Sequence, residues 1–243
     1  MSEAAESLAR RGGSQQIPRP RRARPGAAPV WASLPPRERT GITLARVRHG
    51  FEERAEGAAH PRAIPPARLA RHQEPEARPA AVLCALFEES GEAHVILTRR
   101  SSNLRSHTGE VSFPGGRLDG GESPVEGALR EAQEEVGIDP GAIQVLGQLS
   151  PLVTVSNLVL ITPVVGQLGA RPTLLPNPAE VERAFAVSLA DLVSEGVYRE
   201  ELWRLTDEEE WRSISFFELP GDTVWGATAW MLRDLLELTL ARS

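Results

Sequence analysis

The segment Gly116–Ile138, GRLDGGESPVEGALREAQEEVGI, decides the fold, because its local signals for a helix all agree. Ser123 can act as the N-cap, with Glu126 three residues later as its capping-box partner. A proline occupies the first helical position, and Gly137 supplies the left-handed residue that ends a helix. The sequence therefore predicts a helix over residues 124–136.

The two sides of this helix differ in chemistry. At roughly 100° per residue, an apolar stripe is formed by Val125, Ala128, Leu129, Ala132 and Val136. Another sector carries the acids Glu131, Glu134 and Glu135. Like charges at these spacings cost about a few tenths of a kcal/mol per pair, unless a cation lies among them. An acidic helix face is often only a solvated surface, but hard oxygen ligands also suit Mg²⁺ or Mn²⁺.

A glycine-rich loop precedes the helix. Four of the seven residues in Gly115–Gly121 lack a Cβ atom, so the backbone can approach a ligand closely. Mg²⁺ in proteins usually binds one or two carboxylates together with phosphate oxygens of a substrate. The loop and the acidic helix together therefore favour a site for a metal ion and a diphosphate.

The spacing of the fixed residues resembles the Nudix box, G-x5-E-x7-R-E-U-x-E-E-x-G-U, in which U is aliphatic. The matching residues are Gly116, Glu122, Arg130, Glu131, Glu134, Glu135, Gly137 and Ile138, with Ala132 at the first aliphatic position. The resemblance implies a Nudix hydrolase, in which the helix holds divalent metal ions and water attacks a phosphorus of a substituted nucleoside diphosphate. It implies that the metal ligands are Glu131, Glu135, Glu134 and the Gly116 carbonyl.

The resemblance also suggests the catalytic residues. Arg130 is expected to orient the site as an ion-pair partner, with Glu122 as the candidate acid. The general base stays open between Glu131, Glu134 and an acid from outside the box. Glu180, in the loop NPAEV, stands where many Nudix enzymes place that outside acid, although a lone loop glutamate is usually just exposed.

A second motif lies directly upstream of the box. Residues 96–116, ILTRRSSNLRSHTGEVSFPGG, resemble the LLTxR[SA]x3Rx3Gx3FPGG pattern of coenzyme A pyrophosphatases within the Nudix superfamily, and only Ile96 departs from it. The resemblance implies that the substrate binds at Arg100, Arg105, His107, Gly115 and Gly116. Arginines can clamp phosphates bidentately, which suits the diphosphate and the 3′-phosphate of coenzyme A. For His107, a loop histidine bonded to backbone is an equal alternative.

Composition divides the chain into parts. Residues 1–75 carry 14 arginines against 7 acidic residues, whereas the whole chain of 243 residues has a net charge of −6. Residues 1–35 are rich in Arg and Pro and poor in bulky apolar side chains, so we expect them to be disordered. Residues 36–77 are interpreted as a linker with a short helix, and residues 78–243 as the Nudix domain.

Strand patterns complete the domain. The predicted strands cover residues 80–88, 94–100, 143–149, 158–165, 184–189 and 213–219. The first two flank a polar turn and predict a hairpin, and Pro163 is expected to place its strand at an edge or a bulge. Residues 225–240 predict a C-terminal helix. We therefore expect an α/β protein, and the resemblance makes it a Nudix fold, an α/β/α sandwich with a mixed sheet and a disordered N-terminal extension.

The sequence thus predicts a Mg²⁺- or Mn²⁺-dependent hydrolase that cleaves coenzyme A or acyl-CoA to 3′,5′-ADP and a 4′-phosphopantetheine product. Two alternatives stay open: hydrolysis of ADP-ribose or a dinucleotide such as NADH, and a non-catalytic Nudix module that senses a nucleotide. The expected partner is a small nucleoside diphosphate derivative resembling coenzyme A, without membrane or nucleic acid, and a homodimer stays open. Because neither an apolar run of about 18 residues nor a secretory signal is visible, we expect a cytoplasmic protein.

Overall fold

The computed structural model describes residues 12–13, 15, 17–55, 77–101, 109–154, 159–204 and 211–241. Before residue 78, the elements are β1 (Gly12–Gly13), β2 (Ala23–Pro25), α1 (Pro36–Arg39) and α2 (Leu44–Ala55). The next are β3 (Arg78–Glu89), β4 (Glu92–Arg100), β5 (Val111–Ser112), β6 (Gly115–Arg117) and α3 (Pro124–Val136). These are followed by β7 (Ile143–Gln148), β8 (Leu152–Thr154), β9 (Val159–Leu168), β10 (Val181–Ser188) and α4 (Leu189–Leu192). The last described elements are β11 (Tyr198–Trp203), β12 (Arg212–Trp225) and α5 (Gly226–Leu240).

Two sheets form the framework. The larger one has the order β10-β4-β3-β9-β7, with β5 beside β4, β6 beside β3, and β8 beside β9. Its strand pairs are antiparallel except for β3 and β9, which run parallel. The smaller sheet has the order β1-β12-β11-β2. The predicted α/β class with a mixed sheet is therefore confirmed, as is the β3–β4 hairpin.

Helices cover both faces of the larger sheet. On one face, α3 packs against β3 and β9 through a buried apolar cluster that includes Ala128, Ala132 and Val136. On the other face, α2, α5 and the smaller sheet enclose the larger cluster, which includes Leu97 and Phe217. This arrangement leaves the acidic sector of α3 beside the loops at one end of the sheet. None of the helices in the described ranges is long and apolar enough to span a bilayer.

Helix α3 has the bounds that its sequence predicts. The Ser123 hydroxyl accepts a hydrogen bond from the Glu126 N–H at 3.3 Å, and the Glu126 carboxylate accepts one from the Ser123 N–H at 2.9 Å. Gly137 ends the helix with a φ of 72°, a left-handed conformation that glycine adopts without steric cost. Local sequence alone therefore sets both ends of this element.

The edge position expected from Pro163 is wrong. Strand β9 lies inside the sheet, with β3 on one side and both β7 and β8 on the other. Residues 159–161 pair with β8 and residues 164–168 pair with β7, so Pro163 falls at the junction between these two partners. Its carbonyl accepts a hydrogen bond from the Leu149 N–H at 3.0 Å on that side. The nitrogen of Pro163, which carries no hydrogen, therefore faces the gap between β7 and β8. Its lack of an N–H removes no hydrogen bond to β3.

Residues 1–11, 14 and 16 of the segment expected to be disordered lie outside the described residues, whereas the structure differs from that expectation over residues 17–35. Trp31 is only 2% exposed and packs against Tyr198 and Phe217, with ring centroids 5.1 and 6.4 Å apart. Strand β2 pairs with β11 in antiparallel register. The segment uses a strand and an aromatic pocket of the rest of the chain, so it needs no core of its own. The short helix expected within residues 36–77 is α2, whereas residues 56–76 of that segment lie outside the described residues.

Candidate active site

Arg130 connects the acids of α3 with the loop that precedes the helix. Its guanidinium donates two hydrogen bonds to Glu122, at 2.9 and 3.1 Å, one to Glu131 at 3.0 Å and one to Glu134 at 3.4 Å. It also donates to the Arg117 carbonyl at 3.0 Å. The hydrogen bond from Arg130 lowers the pKa of Glu122. The ion pair between Arg130 and Glu122 that the sequence suggests is therefore present.

Glu135 is a carboxylate held away from water. Its residue is 4% exposed, and one of its oxygens accepts a hydrogen bond from the Gly115 N–H at 3.2 Å. Burial is the main cause that raises the pKa of Glu135 to about 7. The charges of Glu131 and Glu180 also raise it, while the Gly115 N–H and the charge of Arg100 act in the opposite direction. Such a group gains free energy from any cation that binds beside it.

The loop before β10 brings Glu180 to these acids. The Asn177 N–H donates to the Glu135 carbonyl at 2.8 Å, and the Ser101 N–H donates to the Glu180 carbonyl at 2.8 Å. The loop is thus bonded both to the end of α3 and to the end of β4. Burial raises the pKa of Glu131, and the charge of Glu180 adds to that rise as it does for Glu135. The loop that carries Glu180 is therefore held beside the end of α3 that carries Glu135.

Two glycines allow the catalytic loop to lie against its neighbours. A Cβ atom on Gly116 would lie 2.5 Å from the carboxyl carbon of Glu131 and 2.6 Å from its oxygens. A Cβ atom on Gly115, where φ is 154°, would lie 2.4 Å from the Ala81 carbonyl oxygen. Neither position has room for a side chain. The two glycines that the sequence assigns to the substrate site are therefore required by close packing against α3 and β3.

The predicted phosphate-binding residues are described in part. Arg100 is the last residue of β4, and its charge acts on Glu135 across the site. Its Nε atom is buried and has no hydrogen-bond partner within the part of the chain that the structure describes. Arg105 and His107 fall in residues 102–108, which lie outside the described residues.

The chemistry and the surroundings of these acids decide whether they fit a divalent cation. Among the described residues, no three acidic, histidine or cysteine side chains converge closely enough to hold a metal ion as they stand. Glu131 and Glu134 are turned to Arg130, and Glu135 is turned to the Gly115 N–H. These three acids nevertheless supply the hard oxygen donors and the unbalanced negative charge that Mg²⁺ or Mn²⁺ requires. The donor set fits such an ion, provided that side chains rotate away from Arg130.

Glu134 differs from the other two acids of the helix. Its side chain is 59% exposed, compared with 16% for Glu131. Its carboxylate accepts a hydrogen bond from Arg130 at 3.4 Å. Exposure therefore groups Glu131 with Glu135 and leaves Glu134 at the rim.

Sequence reasoning missed one residue that shapes the site. Gly127 is buried in α3, and a Cβ atom there would lie 2.2 Å from the Leu118 side chain and 3.0 Å from a Glu122 oxygen. Glycine inside a helix costs roughly 0.5–1 kcal/mol relative to alanine. A glycine inside an otherwise strong helix is therefore a signal in the sequence. It could have indicated that the loop carrying Leu118 and Glu122 crosses closely over α3.

Comparison with known proteins agrees with this fold. The profile of the NUDIX domain family matches residues 77–208, just over half of the chain. The chain therefore belongs to the NUDIX family of hydrolases, and its α/β fold is the Nudix fold.

Two relatives and one solved structure illustrate the extent of the similarity. The uncharacterized Nudix hydrolase NudL of Photorhabdus laumondii is 38% identical over 174 residues, which cover 71% of this chain and 89% of NudL. The mitochondrial Nudix hydrolase 15 of Arabidopsis thaliana is 37% identical over 176 residues, which cover 67% of this chain and 59% of that protein. The crystal structure of a MutT/nudix family protein from Enterococcus faecalis superposes with a TM-score of 0.45 at 15% identity, over 79% of this chain and 73% of the other.

Proposed function

We propose that this protein hydrolyses the diphosphate of coenzyme A or acyl-CoA, with a divalent metal ion, to 3′,5′-ADP and 4′-phosphopantetheine or its acyl form. The observation that carries the hydrolase part is the placement of Glu131 and the buried Glu135 directly beside Gly116 and Gly115, with the loop of Glu180 hydrogen-bonded to the end of α3. Family membership supports a diphosphate as the substrate class. The upstream motif at residues 96–116 supports coenzyme A within that class.

In this proposal, Glu131 and Glu135 bind Mg²⁺ or Mn²⁺, with Glu180 and the Gly116 carbonyl completing the site. Glu134 and Arg130 lie next to these ligands. Arg130 holds the loop against the helix through its hydrogen bonds to Glu122. The bound ion supplies charge that polarises the phosphoryl oxygens and activates water. Water adds to one phosphorus, the bond to the bridging oxygen breaks, and a carboxylate takes the proton of the water.

The base is proposed among Glu131 and Glu180 rather than Glu134. A general base needs a position inside the site and a pKa close to the working pH. Burial raises the pKa of Glu131, and Glu180 stands on a loop that is hydrogen-bonded to the end of α3. Glu134 is mostly exposed and bonded to Arg130, so it is less suited to take a proton within the closed site.

Arg100 is proposed as a phosphate ligand of the substrate. Its guanidinium lies at the end of β4, near Glu135, and its buried Nε atom lacks a hydrogen-bond partner in the described part of the chain. A buried donor without a partner costs free energy, and a phosphate oxygen would satisfy it. Arg105 and His107 belong to the same motif and are proposed as further contacts.

The test is a panel of nucleoside diphosphate derivatives incubated with the protein and Mg²⁺ or Mn²⁺, with products identified by mass. The proposal expects 3′,5′-ADP and 4′-phosphopantetheine from coenzyme A, and a lower kcat/KM for dephospho-coenzyme A, which lacks the 3′-phosphate. Equal turnover of the two compounds, or faster turnover of ADP-ribose or NADH, would instead support the broader nucleotide hydrolase. Absence of product from every compound, with both metals, would support a nucleotide-sensing module.

A further inference from the structure

A buried carboxylate on the smaller sheet contacts both β4, which ends at Arg100, and β10, which Glu180 directly precedes. Asp222, on β12, has a side chain that is 1% exposed. One of its oxygens accepts a hydrogen bond from Arg99 at 3.2 Å, and the other is paired with Arg183. Arg99 lies on β4 and Arg183 on β10, so a single acid from another sheet contacts both strands.

The two arginines are direct neighbours across the strand pair. Arg183 is opposite Arg99 in the antiparallel register of β10 and β4. Like charges directly opposite each other destabilise a strand pair. Glu182, at the irregularity between Val181 and Arg183, contributes a weaker contact to Arg99 at 3.5 Å. The carboxylate of Asp222 therefore offsets the repulsion between Arg99 and Arg183 at this point of the strand pair.

The end of this strand pair is also the entrance to the candidate active site. Arg100 follows Arg99 directly, and Glu180 precedes β10. The Ser101 N–H donates to the Glu180 carbonyl at 2.8 Å, and among the described residues this is the last backbone hydrogen bond at that end of the strand pair. Any separation of Arg99 from Arg183 is transmitted first to this hydrogen bond and to the side chains on either side of it.

The N-terminal segment shields Asp222 from water. The Gln15 side-chain amide donates to Asp222 at 3.3 Å and accepts from the Thr223 N–H at 3.2 Å. The Gly13 N–H donates to the Thr223 hydroxyl at 3.0 Å. Asp222 thus lies among partners from three separate parts of the chain, and the charge pairs it forms are strengthened by the low polarity around it.

We propose that Asp222 is a positioning residue, which holds β4 and β10 together through Arg99 and Arg183 and thereby sets Arg100 and Glu180 against the acids of α3. The inference rests on the proposed function for its catalytic consequence, but its structural part stands on these contacts alone. Among the described residues, the side-chain partners of Asp222 are Arg99, Arg183 and Gln15, and none of them is an acid of α3. Its effect on activity therefore passes through the geometry of the two strands.

The test compares Asp222→Asn with the double variant Asp222→Asn/Arg183→Gln. The single variant keeps the shape of the side chain but leaves two arginines facing each other, so we expect faster hydrogen exchange at the Ser101 amide. We also expect weaker Mn²⁺ binding and a loss of about tenfold or more in kcat/KM, because small misplacements of reacting groups are costly. In the double variant the repulsion is removed, and we expect most of the Ser101 protection and of the kcat/KM to return.

A matched control separates positioning from simple loss of stability. Glu237→Gln removes another buried, ion-paired carboxylate, which accepts from Arg233 at 2.7 Å within α5. This variant should lower the melting temperature as Asp222→Asn does, yet leave the Ser101 amide protected and the kcat/KM close to that of the unaltered protein.

Two outcomes would overturn the inference. The first is a folded Asp222→Asn protein with unchanged exchange at Ser101, and the second is a double variant as impaired as the single one. If the unaltered protein hydrolyses no diphosphate, the proposed function fails, whereas hydrogen exchange at Ser101 still decides the role of Asp222.

Discussion

At the scale of single residues, three carboxylates with different surroundings define the site. Glu135 is buried, Glu131 is mostly covered, and Glu134 is largely exposed and bonded to Arg130. Spacing on a helix places all three in one sector, but it cannot tell which of them loses contact with water. That distinction depends on the loop that carries Glu180, which is more than forty residues further along the chain.

Replacing the acids one at a time should separate their roles. Glu131→Gln and Glu135→Gln should each lower kcat/KM by about 100-fold or more, since even outer-shell changes at metal sites cost 10–100-fold. Glu134→Gln should have a smaller effect, because its carboxylate lies at the rim of the site. Steady-state kinetics with saturating Mg²⁺ provide the measurement. Glu89→Gln is the control for loss of charge, because the Glu89 side chain is 41% exposed and pairs with Arg171 at 3.0 Å. Equal losses of kcat/KM for all three variants would contradict the separation of Glu131 and Glu135 from Glu134.

A pair of glycines gives a matched test of the close approach at the loop. Gly116→Ala places a methyl group about where the Glu131 carboxylate lies, so we expect displacement of that acid and a loss of about tenfold or more in activity. Gly120→Ala is the control, because a Cβ atom at Gly120 meets nothing within 4 Å. Activity and metal affinity should be measured together. The explanation fails if the two variants behave alike.

At the scale of elements, local signals and long-range contacts differ in how far they can be predicted. Helix α3 was predictable to the residue, because a capping box, a proline and a left-handed glycine are all local. The β3–β4 hairpin was predictable for the same reason. Pro163 was misplaced because the sequence does not reveal that β9 changes partner from β8 to β7 at that residue. Strand β11 was missed, since its alternating charged residues carry no clear apolar pattern.

The capping box of α3 makes the stability of the protein depend on pH. The hydrogen bonds that Glu126 shares with Ser123 lower the pKa of Glu126 in the folded state. A lowered pKa contributes stability above the pKa of the unfolded chain, and that contribution is lost as the pH falls through the folded value. Urea unfolding of the protein and of Glu126→Gln should therefore give a difference at pH 7 that disappears in acid.

The partner residue of the capping box offers an independent check. Ser123→Ala should lower the free energy of unfolding by about 1 kcal/mol at pH 7, as is usual for the loss of an N-cap. In this variant the further effect of Glu126→Gln should shrink, because the two residues act as one unit. Additive effects of the two substitutions would show that the box does not act cooperatively.

At the scale of the whole molecule, residues 17–55, which precede the NUDIX match, are part of the folded structure. Their composition predicts disorder, yet β1 and β2 extend the smaller sheet and Trp31 fills an aromatic pocket. The arginine-rich stretch is used within the chain: Arg19 pairs with Glu201 at 2.7 Å, and Arg24 stacks on Trp211 at 4.1 Å. Composition cannot reveal such contacts, because the partners lie about 180 residues away in the sequence.

Two neighbouring residues test whether this segment stabilises the protein. Trp31→Ala should lower the free energy of unfolding by about 3–5 kcal/mol, which is typical for removing a buried large aromatic side chain. Val30→Ala should change it by less than about 0.5 kcal/mol, since Val30 is 51% exposed. Thermal or urea unfolding of the full chain is the measurement. Similar small effects for both variants would mean that the segment does not pack in solution as described.

The proposed hydrolysis requires above all a divalent ion bound between α3 and the loop that carries Glu180. The most direct measurement is the anomalous scattering of Mn²⁺ in a crystal of the protein grown with that ion. We predict a peak within bonding distance of Glu131 and Glu135, on the side that faces Glu180, and loss of this peak in Glu135→Gln. A map without a peak at these carboxylates in excess Mn²⁺, with Glu131 and Glu134 still bonded to Arg130, would contradict the account.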